Sequence, residues 1–287
     1  MTEAILLEGK KVGEAIRQTI LAEVSEIKAK NGETLRLACV AVGEDPASKW
    51  YRQALEKTAK SLGIEFENVL LEAGISQSEL SGRVRELGFA RGDIHGILVQ
   101  DPLPEGINQA QVLSCLNPKK DVEGIHPENL GLLVMRKGRL IPATALSCLA
   151  LIDATGIGMR GKAAVIVGQS TIVGRPLQLL LGERRALTIV CNTGTSREQM
   201  EKLMGLADVV VACCGQPRMI PGQWVRDGSI VIDAGTTEVD GKIVGDIEFE
   251  EARKKARFIT PVPGGVGPLT VLMLMKNLIS AYHWQKE

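Results

Sequence analysis

Short apolar runs alternate with stretches of helical period along nearly the whole chain, and that alternation leaves few folds open. Residues 35–42 (LRLACVAV), 64–71 and 94–99 read as buried strands. Around them, Val12, Ile16, Ile20 and Val24 mark a helix to about residue 29 that Asn31-Gly32 closes, and 48–61, 77–87 and 108–116 read as further helices. Strands joined through helices pair in parallel, because a parallel pair needs a crossover. The first half therefore predicts an open α/β domain.

After Pro142 the rhythm resumes. A helix is expected over 145–154, then strand 163–167, helix 173–181, strand 187–190, helix 197–204 and strands 208–212 and 229–233, the pattern of a doubly wound nucleotide-binding domain. The apolar segment 270–281, with Leu272, Met273, Leu274, Met275, Leu278 and Ile279, has no strand after it. It either caps the second sheet or packs back on the first domain. The stretch 117–130, rich in Pro, Gly and charge, reads as an active-site loop or as a connector.

The remaining composition narrows the function. A length of 287 residues predicts two domains. Lys+Arg and Asp+Glu balance at 34 each, and aromatics are only 3%, which excludes a polybasic or ring-stacking nucleic-acid surface. The start lacks a long apolar stretch, and Lys276 breaks the apolar C-terminal run, so no membrane association and a cytoplasmic setting are expected. The six Cys (39, 115, 148, 191, 213 and 214) form no disulfide framework; with three His and an adjacent Cys213-Cys214, no metal site is expected.

One segment carries recognisable chemistry. In KAAVIVGQSTIVGRP, a buried strand ends at Gly168, where a Cβ would crowd a phosphate, and Gln169 and Ser170 follow. Gly174 then allows close approach at a helix N-terminus, whose free amides suit a pyrophosphate. The spacing departs from G-x-G-x-x-G. Asn192 and Thr193 after the next strand, and Cys214-Gly215 after the third, lie where a ribose or adenine edge would meet the same sheet end.

Four motifs, in order, make the chain resemble the methylenetetrahydrofolate dehydrogenase/cyclohydrolase family from Leu6 to about Ile279. They are Val42-Gly-Glu-Asp-Pro-Ala-Ser48, Gln100-Asp-Pro-Leu-Pro104, Lys120-Asp-Val-Glu-Gly-Ile-His-Pro127 and Thr260-Pro-Val-Pro-Gly-Gly-Val-Gly-Pro-Leu-Thr270. The resemblance implies a two-lobed α/β enzyme. Its expected folate-binding, catalytic domain covers 1–140, completed by a C-terminal helix over 268–287, and a Rossmann-like NAD(P) domain covers 141–267. It further implies tetrahydrofolate substrates, a homodimer, Tyr51 stacked on the folate, Gln100 and Asp121 at the pterin, and Pro263, Gly264 and Gly265 along the pocket. Gly168, Gln169, Ser170, Gly174, Asn192, Thr193, Cys214, Gly215 and Thr236 are implied for NADP or NAD.

The departures from the family pattern are informative. The family places a lysine four residues after the motif tyrosine, where it serves the hydrolytic step with the glutamine; here that position is Leu55. Lys49 and Lys57 fall off the Tyr51/Leu55 helix face. Leucine moves no proton, and loss of a positioned acid/base costs about 10²–10⁴-fold. The expectation is therefore NAD(P)-dependent oxidation of 5,10-methylenetetrahydrofolate with weak or absent hydrolysis of the methenyl product. The alternatives are a full bifunctional enzyme with a stand-in for the lysine, and a non-catalytic folate- or nucleotide-binding regulator. Asp101 where the family has Leu, Pro-Ala-Thr-Ala at 142–145 and Asn192 in place of His are further departures. Gln169 replaces a family arginine suited to a 2′-phosphate and favours NAD, with Arg175 and Arg197 as possible compensating cations. His95, His126, Trp50 and Trp224 read as structural, and Lys119 and Lys120 as a solvated loop end or a contact for an acidic folate tail.

Overall fold

A computed structural model describes residues 3–287, except for the side chains of Pro46 and Ala47. The chain forms two compact units. It begins with strand β1 (Ile5–Leu6) and helix α1 (Gly9–Asn31).

One unit comprises Ala15–Ala143 and Val271–Glu287. Its elements are β2 (Arg36–Val42), α2 (Pro46–Ser61), β3 (Glu65–Leu71), α3 (Gln77–Phe89), β4 (Gly96–Val99), α4 (Gln109–Leu113) and α5 (Pro127–Val134). The three strands form a parallel sheet in the order β3-β2-β4, as the apolar runs predict. β2 is central and buried along most of its length, which explains its unbroken apolar sequence.

Helix α5 begins within the last residues of the stretch expected to be irregular and runs beyond it. His126 caps it, its Nδ1 accepting from the Glu128 amide at 3.0 Å. The expected helix over 108–116 is only five residues long.

The other unit holds the stretch up to Glu14 together with Thr144–Thr270. It contains α6 (Ala143–Asp153), β5 (Ala163–Val167), α7 (Gly174–Glu183), β6 (Leu187–Cys191), α8 (Arg197–Leu206), β7 (Val209–Ala212) and β8 (Ile230–Asp233). β9 (Thr237–Val239), β10 (Lys242–Val244), α9 (Phe249–Lys255), β11 (Phe258–Ile259) and the long α10 (Val266–Lys286) complete the chain. The main sheet has six parallel strands in the order β1-β11-β8-β7-β5-β6. Its order reverses between β5 and β7, the switch point at which such sheets hold ligands beyond their C-terminal edge.

At the N-terminus the division between the units differs from the expected 1–140 domain. Residues up to Glu14 go with the six-stranded sheet, because β1 pairs with β11 and the Gly9 amide donates to the Gly264 carbonyl at 2.8 Å. Helix α10 passes from one unit to the other, and from Val271 onward it belongs with the three-stranded sheet. There Asn277 Nδ2 donates to the carbonyls of Val122 at 2.7 Å and Ile141 at 2.8 Å, pinning the loop that follows β4. None of the helices among the described residues is long and apolar enough to cross a membrane.

Candidate active site

In the three-stranded unit, Cys39 on β2, Tyr51 and Arg52 on α2, Gln100 beyond β4 and Glu123 in the following loop gather into one electrostatically coupled cluster. Helix α2 is started by Asp45, whose carboxylate accepts from the Ser48 amide at 2.7 Å. Its buried stripe is Arg52, Leu55, Ala59 and Leu62, spaced three, four and three.

Leu55 is completely buried, as a packing residue should be. Arg52 shares its stripe one turn earlier and is only 5% exposed. Its Nη1 donates to Gln100 Oε1 at 3.0 Å, and Gln100 Nε2 donates to the Ser48 carbonyl at 2.8 Å. The carboxamide is thus held at both ends. Arg52, and neither Lys49 nor Lys57, is the cation at this glutamine. Lys49 is exposed and 3.7 Å from Glu44, and Lys57 is exposed. Extending the Leu55-Ala59-Leu62 period backwards by three residues would have found the arginine.

Asp121, expected at the pterin, is held by its own loop. Its carboxylate is buried and accepts from the amides of Gly124 at 3.1 Å and His126 at 2.7 Å and from Asn129 Nδ2 at 2.8 Å. These bonds organise the loop. Glu123, two residues on, has no hydrogen-bond partner among the described residues. Burial, with the Asp121 and Asp101 carboxylates nearby, holds its carboxyl well above the usual range. Burial and the Glu123 charge also raise the Tyr51 hydroxyl, and burial pushes the Cys39 thiol up to about 12, which leaves it inert. Asp101 accepts from Gln109 Nε2 at 2.8 and 2.7 Å.

Lys120 is buried and donates to the Arg91 carbonyl at 2.8 Å, and Lys119 donates to the Trp284 carbonyl at 3.0 Å, so this pair is not a solvated loop end. Of the residues assigned structural roles, His95 accepts from the Arg36 amide at 3.1 Å and Trp224 is buried, while Trp50 is 72% exposed.

The six-stranded unit carries the glycine turn. Gly168 has φ +121°, and a Cβ there would lie 2.3 Å from the Cys213 carbonyl oxygen. The chain itself requires this glycine, where a phosphate had been the expected reason, because the ends of β5 and β7 meet at the switch point. A Cβ at Gly174 would lie 2.0 Å from the Gly168 oxygen, so α7 seats directly on the turn. Ser170 Oγ accepts from the Val173 amide at 3.1 Å. Val173 gives α7 no side-chain cap, which leaves a helix N-terminus suited to a pyrophosphate beside the switch point.

Around this turn, Asn192 Oδ1 accepts from the Gly194 amide at 2.9 Å, and its Nδ2 donates to Gln169 Oε1 at 3.3 Å. Thr193 and Thr236 are exposed. The amides of Cys214 and Gly215 donate to Asp246 Oδ2 at 2.7 and 3.0 Å, so neither is open to a ligand. Arg197 lies over the Trp224 ring, 5.0 Å from its centroid. Pro263, Gly264 and Gly265 belong to this unit, clamped where a Cβ on Gly9 would meet the Gly265 oxygen at 1.9 Å.

Asp233 at the end of β8 accepts from the amides of Gly235, Asp246 and Ile247. Burial outweighs those donors and raises its carboxyl to about 6. Folding therefore favours its protonated form. That contribution is fully present below a pH of about 4 and is lost as pH rises through about 6. Stability measured by denaturant between pH 4 and 7 is expected to fall by up to about 3 kcal/mol relative to Asp233→Asn, and parallel profiles would contradict this assignment.

Comparison with known proteins matches both halves of the chain. Residues 7–123 match the catalytic domain of tetrahydrofolate dehydrogenase/cyclohydrolase, and residues 142–286 match its NAD(P)-binding domain. The bifunctional protein FolD of Geotalea daltonii is 42% identical over 97% of this chain and 98% of its own length. The methylenetetrahydrofolate dehydrogenase-cyclohydrolase of Trypanosoma brucei, solved with NADP and an inhibitor, superposes with a TM-score of 0.95 at 34% identity over the whole of both chains. The corresponding bifunctional enzyme from Campylobacter jejuni gives 0.93 at 36% identity, over 98% of this chain and 99% of its own. With a catalytic unit holding the Tyr51–Gln100 cluster and an NAD(P)-binding unit built on the Gly168 turn, the chain belongs to the tetrahydrofolate dehydrogenase/cyclohydrolase family of enzymes.

Proposed function

We propose that this family member oxidises 5,10-methylenetetrahydrofolate and hydrolyses the methenyl product slowly. The observation that carries this reading is the pairing of a fully buried Leu55 with a buried Arg52 at Gln100. A guanidinium keeps its proton throughout the accessible pH range, so neither residue can accept or return one.

NAD(P), when bound, supplies the hydride acceptor. The Gly168 turn and the first turn of α7 hold its pyrophosphate, and Thr193 and Thr236 offer hydroxyls at the same sheet end. Tyr51 packs against the folate. Glu123 takes the pterin-side role expected of Asp121, because its carboxyl has no hydrogen-bond partner among the described residues. Oxidation of the methylene carbon leaves a cation already stabilised by two nitrogens, so the protein's work is chiefly positioning and exclusion of water. That demand survives the loss of a proton-transferring amine. Separate assays of the two reactions on the purified protein test the reading: dehydrogenation with hydrolysis at least about 10²-fold slower supports it, and equal rates contradict it.

A second reading, full bifunctionality, is favoured by one feature: Arg52 places a positive charge against Gln100. The same pair of assays separates the two.

For the cofactor, Gln169 and Asn192 form a neutral pair, and Arg197 is engaged on Trp224. NAD is therefore expected to serve at least as well as NADP. Gln169→Arg should shift the KM ratio toward NADP by about tenfold through a charge-assisted contact with the 2′-phosphate; an unchanged ratio would place cofactor choice elsewhere. The homodimer implied by the family resemblance belongs to this proposal too, with mass in solution as its measure.

A further inference from the structure

Arg52 is a buried cation with one partner. Its guanidinium carries five N–H donors, and among the described residues only the Gln100 oxygen accepts from it. Among the described residues no carboxylate forms an ion pair with it, although Glu123 belongs to the same cluster. None of the Arg52 nitrogens is both fully enclosed and without an acceptor, so the donors that Gln100 leaves free open onto the site and not into the core. At the surface the same chain gives Arg36 and Arg91 several acidic partners each. An arginine withheld from such pairing, in a cluster with a half-buried tyrosine and an unpartnered glutamate, is arranged for something outside the chain.

We propose that Arg52 is a substrate-facing positioning residue that locks the Gln100 carboxamide and directs its remaining donors to an uncharged acceptor on the bound folate, so that the site favours uncharged one-carbon folates over the methenyl cation. The inference rests on the folate reading above and deepens it. Gln100 has its nitrogen on the Ser48 carbonyl and its oxygen on Arg52, so its orientation follows from the arginine. A permanent positive charge at this point repels a ligand whose own charge lies on the reacting carbon and its nitrogens. A lysine can shed its proton and relieve that repulsion, but an arginine cannot.

The test is equilibrium binding, by protein fluorescence with rapid mixing, of 5-formyltetrahydrofolate and of 5,10-methenyltetrahydrofolate to the intact protein and to Arg52→Gln and Arg52→Lys. The intact protein is expected to hold the formyl compound more tightly by about tenfold or more. Arg52→Gln should erase most of that preference, mainly by tightening methenyl binding. Arg52→Lys, measured at a pH that keeps the ammonium charged, should retain it. A preference of the same size in the intact protein and Arg52→Gln would overturn the inference while leaving the folate reading standing. Loss of the preference in Arg52→Lys as well would also overturn it, by showing that the side chain's shape and not its charge discriminates. Failure of the intact protein to bind either compound would overturn both.

Discussion

Leu55→Lys should raise hydrolysis of methenyltetrahydrofolate by about 10²-fold or more while changing methylene oxidation by less than about tenfold. The position is completely buried and lies one turn from Arg52, so a new ammonium there is short of water and faces a like charge. Both effects push its proton affinity down toward neutrality, where a general acid/base is most effective. The same two effects cost stability, by about 2–4 kcal/mol in an unfolding titration. A folded variant whose hydrolysis stays at the level of the unmodified protein would show that the missing amine does not limit that step.

The second large effect is expected at Gly168. An alanine there must adopt φ +121° and place its methyl group 2.3 Å from the Cys213 oxygen. Neither strand can give way easily, since β5 and β7 are paired along Ala164–Val167 and Val209–Ala212. The expected outcome is a loss of about 3 kcal/mol or more in stability and weakening of dinucleotide binding by about 10²-fold, read by thermal unfolding and by NADH fluorescence. Unimpaired NADH binding would remove the turn from the nucleotide site.

Much of the fold is legible in the apolar runs because each buried parallel strand needs several consecutive apolar residues, and each helix needs a stripe. What escaped was short or defined from a distance. β1 and β11 have two residues each, too few to show a period, and exist because they pair with each other and with β8. The β9–β10 hairpin was readable: Asp240-Gly241, at φ 51° and 73°, is a turn signal between two short alternating runs. Helix α5 was hidden by the Pro, Gly and charges of its approach, although His126-Pro127 starts it as a cap and a first-turn proline would.

In the site, the Gly168–Gly174 turn was legible because glycine at a strand end is a backbone statement. Arg52 was legible only as a position on the buried stripe of α2, and Glu123 not at all, because their roles depend on what is absent around them. Sequence places a charged residue on a helix face, but only packing reveals that it lacks a counter-ion. Asp121 shows the converse, a motif acid whose oxygens the loop itself occupies.

The parallel pairing of Ile5 and Leu6 with Phe258 and Ile259 has a consequence for biosynthesis. All the other strands of both sheets lie between these two paired segments in the sequence, so this edge of the nucleotide-binding sheet joins only after the whole intervening stretch has been made. The strip at this edge is therefore a contact of high sequence separation, formed late relative to the local β5–β8 pairings, and β1 stays unpaired until β11 exists.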